Sequence, residues 1–375
     1  MARSPEIRAP GAYRSGLLGR GSDLCAYTIL PFLLLLFCAL PRAQLIIPDG
    51  LGYFAYLESS FTDGDLFFGD EFSRHGMIRP AFFGSTTGLI GNPYPMGPAV
   101  LWLPWYVGGW VFDSIFDLSG FEVTAIQLGS LFYGIAGLFL MYRFLRREYG
   151  GGAAALAIWG GLLGTRLPQY VVDEGSLSQA TDFFMVSLFL VLWFRLRPAR
   201  SSFRGWFVLG AAGGIAAMVR TQEVLFLIFP GIDLLIRGRK EGMPMQAIGR
   251  ILAGYSAGFL LAFAPQMVVF KLLNGSWFHS AQQGNLAGYL EVWGTLVGPY
   301  GFLPWSPVVP LSLLGGALLL YRRPFEGTLL LGAFILQVLV VSSIRCWWSG
   351  PRILLDTAPI CMIWLAESTR HLGLR

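Results

Sequence analysis

The chain has 375 residues, 54% of them hydrophobic and only 13% charged, with a mean hydropathy of +0.58. A soluble domain of this size carries about a quarter charged residues, so there is too little charge to coat a globule, and lipid must solvate much of the surface. The net charge of +5 does not point to nucleic acid, because the basic residues stand in short loops between apolar runs.

The first element is an apolar run from Leu24 to Leu40, preceded by Arg3, Arg8, Arg14 and Arg20. Pro41-Arg42-Ala43-Gln44 is a poor cleavage site, so the run reads as a retained signal anchor. A bilayer core needs roughly 20 apolar residues per helix. Runs of that kind fall at about 24–41, 122–142, 151–168, 179–195, 205–219, 222–236, 249–271, 305–321, 327–344 and 353–367. The fold class expected is therefore an all-α polytopic membrane protein with about ten transmembrane helices. Residues 1–23 form a cytoplasmic segment, 24–367 one membrane domain and 368–375 a cytoplasmic tail.

The positive-inside rule tests this threading. With the N-terminus in the cytoplasm, 19 of the 27 Lys and Arg fall inside, including Arg143, Arg146, Arg147, Arg237, Arg239, Lys240, Arg322 and Arg323. One further crossing early in the chain would reverse this bias. The apolar stretch Ala99–Phe112, which holds Pro104 and three tryptophans, is therefore read as an interfacial or re-entrant helix on the outer leaflet. The outer face then carries a first loop at 42–121, a short loop near 168–178, a second large loop at 272–304 and a short piece from Arg345 to Arg352. The aromatics and prolines of the first loop argue for an ordered layer of short helices.

Chemistry-bearing residues gather on this outer face. Asp49, in Pro48-Asp49-Gly50-Leu51-Gly52-Tyr53, follows the first span directly. An ionisable group at that depth is costly unless paired or functional. It can take a proton from an acceptor hydroxyl, or it can be a turn residue, since Asp-Gly is a common turn pair; the spacing leaves both open. Thr62 to Glu71 carries Asp63, Asp65, Asp70 and Glu71. These could bind a divalent cation, although no Glu stands at the twelfth position of a calcium loop and solvated loops accept such acids freely. No metal is assigned there. His75, His279 and His371 have no zinc-ligand spacing, and the four cysteines form no C-x-x-C. Lys271, Arg345 and Arg352 fall at outer helix ends, where a cation either holds a lipid-linked phosphate or snorkels to the interface. Arg220, inside an apolar stretch, is expected to face a polar cavity. There is no P-loop, G-x-S-x-G, H-E-x-x-H or nucleotide fingerprint, so no cofactor is expected.

Taken in order, these motifs resemble the GT-C class of integral membrane glycosyltransferases, and more closely bacterial relatives of the dolichyl-phosphate-mannose–protein mannosyltransferases. The likeness is carried by PDGLGYFAYLESSFTDGDLFFGDEF, by Asn92-Pro93-Tyr94-Pro95-Met96-Gly97-Pro98 with LWLPWY, and by the stretch from Gly164 to Ala180. GGIAAMVRTQEVLF, APQMVVFKLLNGS and the closing Cys346-Trp347-Trp348-Ser349-Gly350-Pro351-Arg352 complete it. Two features depart from the pattern. Gln179 stands where the third motif has His, and the closing motif is shortened.

The resemblance implies inverting transfer of a sugar from a polyprenyl-phosphate donor to an acceptor hydroxyl of a glycan, lipid or protein. The reaction would run on the periplasmic face of a bacterial inner membrane. It makes Asp49 the catalytic base and assigns the lipid phosphate to Arg352, Lys271 and Arg220. Arg345, Tyr53, Asn92, Glu174 and Gln179 are expected to line the substrate site. A catalytically silent scaffold of the same fold and a lipid or glycan transporter are the alternative readings.

Overall fold

The computed structural model describes residues 49–77, 85–117, 120–196, 202–278, 289–344 and 350–370. The expected first span at 24–41, Arg345 and the Cys346–Ser349 piece lie outside the described residues. The described chain is helical throughout. The stretch expected as the first outer loop holds α1 (Asp49–Thr62), the short α2 (Gly69–Arg74) and α3 (Gly97–Phe116). A helical bundle follows: α4 (Phe121–Tyr149), α5 (Gly151–Leu163), α6 (Gln179–Arg195), α7 (Phe203–Val219), α8 (Ile228–Lys240) and α9 (Met245–Asn274). After two short turns, α10 (Val292–Leu296) and α11 (Phe302–Trp305), come α12 (Val308–Arg322), α13 (Pro324–Ser342), the four-residue α14 (Gly350–Ile353) and α15 (Ala358–Thr369).

Three helices, α4, α9 and α13, are long and apolar enough to cross a membrane; α5, α7 and α12 are shorter apolar helices. α6 coincides with the expected span at 179–195. Two expected spans are not single helices. The 222–236 stretch starts as a 3₁₀ turn over Thr221–Leu227 before α8, and the 353–367 stretch starts as a 3₁₀ turn over Leu354–Thr357 before α15. Each break falls beside a buried carboxylate, Glu223 or Asp356. Tighter 3₁₀ turns re-aim side chains, and hydropathy does not report them.

The segment expected to lie on the outer leaflet is the 20-residue helix α3, which starts at Gly97-Pro98 and ends at Asp117, whose φ is 54°. It is not among the helices apolar enough to cross. Its inner side buries Trp102 and Tyr106, and Trp110, Phe112, Ile115 and Phe116 are exposed. That division suits a helix with one face on protein and one on lipid. α1 is buried on nearly every side, because it packs into one cluster with Trp102 and Tyr106 of α3, Ile126 of α4 and Val269 and Leu273 of α9. The described residues of the 42–121 stretch are thus part of the folded core.

Lipid gives helices no hydrophobic reason to associate, so close backbone approach has to hold them together. α7 and α9 do this with small residues at four-residue spacing. A side chain on Gly210 would overlap the Tyr255 carbonyl, and one on Gly258 the Phe207 carbonyl; Gly214 meets Phe259 and Ala262. Substituting Gly258→Leu is expected to force these helices apart at a cost of about 1–3 kcal/mol. Thermal unfolding in detergent should therefore show a clearly lower midpoint than that of the native chain.

Candidate active site

Asp49 is the first residue of α1, where a carboxylate also meets the positive end of the helix dipole. Its side chain is partly buried and held from two sides. Tyr94 donates its hydroxyl to Oδ1 at 2.6 Å, and the Arg352 guanidinium pairs with Oδ2. Arg352 comes from α14, 303 positions later. The two glycines after Asp49 explain how so much backbone converges. A side chain on Gly52 would overlap the Tyr94 ring, and one on Gly50 would strike Ser176.

Tyr94 sits on a rigid strap. Asn92 donates Nδ2 to the Gly52 carbonyl at 2.7 Å and accepts the Tyr94 amide at 3.1 Å. Tyr56 donates its hydroxyl to the Tyr94 carbonyl at 2.9 Å, and the Met96 amide donates to Gln266 Oε1 at 2.7 Å. Tyr53 packs edge-on against Tyr94 and Trp102, with centroid distances of 5.3 and 6.2 Å. Trp102 donates to Ser130, which donates on to the Gly175 carbonyl. This chain ties the 174–178 loop to the same layer.

The other expected residues are placed differently. Arg220 is extended between α7 and the 3₁₀ turn (φ −145°, ψ 119°) and does not reach Asp49. It donates to Asp182 Oδ2 at 3.5 Å and to the Ile353 carbonyl at 3.3 Å. Its charge is engaged by a buried acid, and it braces the residue next to Arg352. Lys271 is exposed, donates to the Gly275 carbonyl at 2.8 Å and lies over the Trp277 ring; it stands in the last turn of α9. Glu174 accepts from Gln169 at 2.6 Å. Gln179 is buried, and its Oε1 has no hydrogen-bond partner. Two features went unread in the sequence: the hydroxyl of Tyr94, and a buried acid set of Asp182, Glu223 and Asp356. Tyr94 was visible only as part of an Asn-Pro-Tyr-Pro segment.

Asp63, Asp70 and Glu71 do come together, as the acidic run suggested, within 4.8 Å of one another. Arg74 answers them, reaching Asp70 at 3.2 Å and Asp63 at 3.8 Å, with Glu58 at 2.6 Å.

Residues 104–269 match the family described as dolichyl-phosphate-mannose-protein mannosyltransferase. The fold is similar to that of the crystal structure of ArnT from Cupriavidus metallidurans bound to undecaprenyl phosphate, with a TM-score of 0.60 at 16% identity. The similarity covers 91% of this chain and 60% of that one, so the chain spans about three fifths of the length of that structure. No curated protein matches. Over residues 104–269 the chain is thus similar to this mannosyltransferase family, and its helical fold is similar to that of ArnT.

Glu71 gives this outer layer a pH dependence. It is fully buried with no donor on either oxygen. Burial, reinforced by the neighbouring Asp70 and Asp63, pushes its carboxyl up to about 8 from 4.5. A raised carboxyl favours the folded state below the unfolded value and loses that contribution as pH rises through about 8. Glu71→Gln mimics the neutral form. Its gain in thermal midpoint over the native chain is expected to widen from pH 5 to pH 8 and then level off.

Proposed function

We propose that this chain transfers a sugar from a polyprenyl-phosphate donor to an acceptor hydroxyl at the outer membrane boundary, with inversion at the anomeric carbon. The observation that carries this reading is the meeting of Asp49 and Arg352 across the whole length of the chain. The pair supplies a base and an anion-binding cation side by side, beside a membrane helix bundle whose class uses lipid-linked donors.

The chemistry follows from the two groups. The donor phosphodiester carries one negative charge, as the carboxylate does, and competes with it for the Arg352 guanidinium, whose planar fork suits phosphate oxygens; the departing monophosphate gains a second charge, which strengthens that hold. Once Arg352 turns to the phosphate, Asp49 keeps the Tyr94 hydrogen bond and gains a free oxygen. That oxygen takes the proton of the acceptor hydroxyl as the acceptor oxygen bonds to the anomeric carbon. The bond from that carbon to the phosphate oxygen breaks, and its electron pair leaves on the lipid phosphate, which Arg352 stabilises. Attack opposite the leaving group inverts the centre. Lys271, exposed at the end of α9, fits a role in drawing lipid headgroups to the boundary. The active face is assigned to the periplasmic side, with described C-terminal residues leading inward, by the distribution of Lys and Arg in the sequence.

Asp49→Asn is expected to lower sugar transfer by about 10²–10⁴-fold while the protein still folds and binds donor. Arg352→Gln should raise the KM for the donor as well as lower kcat, because it touches phosphate in both ground and transition states. Labelled-donor assays with purified protein measure both. Unchanged transfer in Asp49→Asn would remove the base and leave a non-catalytic scaffold as the better reading.

A further inference from the structure

The proposed transfer uses one end of the helix bundle, and α9 shows where the other end lies. Val269 and Leu273, late in α9, pack on α1. Ile248, near its start, packs against Gly238 at the end of α8. A helix of 30 residues is about 45 Å long, so the end of α8 stands far from Asp49. α8 runs antiparallel to α13, since Phe229 meets Gly332 and Arg237 meets Phe325. Where α8 ends and α13 begins there is an open cleft of about 330 Å³, lined by Arg237, Lys240, Glu241, Arg323, Phe325 and Glu326.

The cations of this cleft are incompletely balanced. Arg237 pairs with Asp233 and, at 3.2 Å, with Glu326; Arg323 reaches the same Glu326 at 3.5 Å and Glu148 at 4.0 Å. Among the described residues no carboxylate pairs with Lys240. Its Nζ lies 5.8 Å from the centroid of the Phe325 ring, and the Arg237 guanidinium lies 5.1 Å from the same centroid. Two like charges gathered on one ring repel, and an anion between them removes the repulsion. The three cations and two carboxylates that line the cleft leave one positive charge. Asp233, Glu148 and Glu367 are further acids at this end, outnumbered by Arg146, Arg147, Arg239 and Arg322.

A second feature is continuous with the first. Ile236, Ile232 and Ile228 lead away from Lys240 along α8 at four-residue spacing, and all three are exposed. Residues four apart share one face of a helix. The face is therefore an apolar stripe that ends in a cationic cleft, the order in which a phospholipid presents its acyl chain and its phosphate.

We propose that this cleft binds the phosphate of one anionic phospholipid, such as a phosphatidylglycerol, with an acyl chain along Ile228, Ile232 and Ile236. A phosphodiester carries a single charge, which matches the surplus of the lining, and basic clefts between helix ends suit such headgroups. The stripe favours a lipid over free phosphate, which has nothing to lay against it. The bound lipid bridges α8 and α13 at the end of the bundle remote from Asp49. This assignment does not depend on the sugar-transfer reading.

The test uses the full chain, delipidated in detergent and offered phosphatidylglycerol, phosphatidylcholine with the same acyl chains, or inorganic phosphate. Native mass spectrometry counts retained lipid, and thermal unfolding reports stability. One phosphatidylglycerol should be retained per chain and raise the midpoint, since a ligand of the native state stabilises it; phosphatidylcholine and inorganic phosphate should do neither. Lys240→Glu removes no ion pair, so its midpoint without lipid should equal that of the native chain, while its affinity for phosphatidylglycerol should fall roughly tenfold or more. Arg239→Glu makes the same change of charge one residue away, outside the cleft lining, and should keep the lipid. The proposal is overturned if no lipid is retained or if both phospholipids act alike. A gain reproduced by inorganic phosphate would assign the cleft to the free ion and contradict it. Equal losses in Lys240→Glu and Arg239→Glu would show diffuse attraction to a basic surface, with no site in the cleft, and would also overturn it.

Discussion

The contact between Asp49 and Arg352 joins a carboxylate at the start of the first described helix to a guanidinium 303 positions later. Neither group is left alone, because an unpaired charge that is partly buried is expensive. The surrounding structure is arranged so that they meet. α1 is wedged among α3, α4 and α9, Gly50 and Gly52 admit the 174–178 loop and the Tyr94 ring, and the short α14 delivers Arg352 from the far side. A residue with a side chain at either glycine would displace one wall of the site.

The same economy governs the rest of the charge. Arg220, the two 3₁₀ turns and their acids form a second polar layer just behind the first, linked to it through the Ile353 carbonyl. Elsewhere the helices associate by backbone proximity. Gly210 and Gly214 on α7 lie against Tyr255, Phe259 and Ala262 of α9, Gly258 on α9 lies against Phe207 and Ala211 of α7, and Gly315 on α12 lies against the Trp364 carbonyl on α15. Small residues are the means available where lipid removes the hydrophobic drive to pack. The rigid bundle gives the polar layers fixed walls, and a site that must hold both a base and an anion partner needs that rigidity.

Much of this was legible in the sequence, for physical reasons. Long apolar runs report membrane helices directly, and α6, α7, α9 and α13 lie close to where the runs placed them. Asp49 was legible because an acid beside an apolar span is exceptional, and Arg352 because it closes an ordered series of motifs. The 3₁₀ starts at Thr221 and Leu354 were not legible, since hydropathy carries no information on hydrogen-bond spacing. The buried acids were missed for a related reason. Asp182, Glu223 and Asp356 come from separate segments, and each alone reads as an ordinary polar residue at a helix end. Arg220 was expected to face a polar cavity; in the structure it meets buried Asp182 and the Ile353 carbonyl, and that pairing needed the three-dimensional arrangement.

The central claim is that a carboxylate and a lipid phosphate compete for one guanidinium. Binding of a polyprenyl monophosphate, measured by titration in detergent, tests it most directly across a double-mutant cycle of Asp49→Asn and Arg352→Gln. Removing the Asp49 charge should tighten phosphate binding severalfold when Arg352 is present and change nothing when Arg352 is Gln. Equal effects of Asp49→Asn in both backgrounds would mean that the two residues do not share a ligand, and would contradict the account.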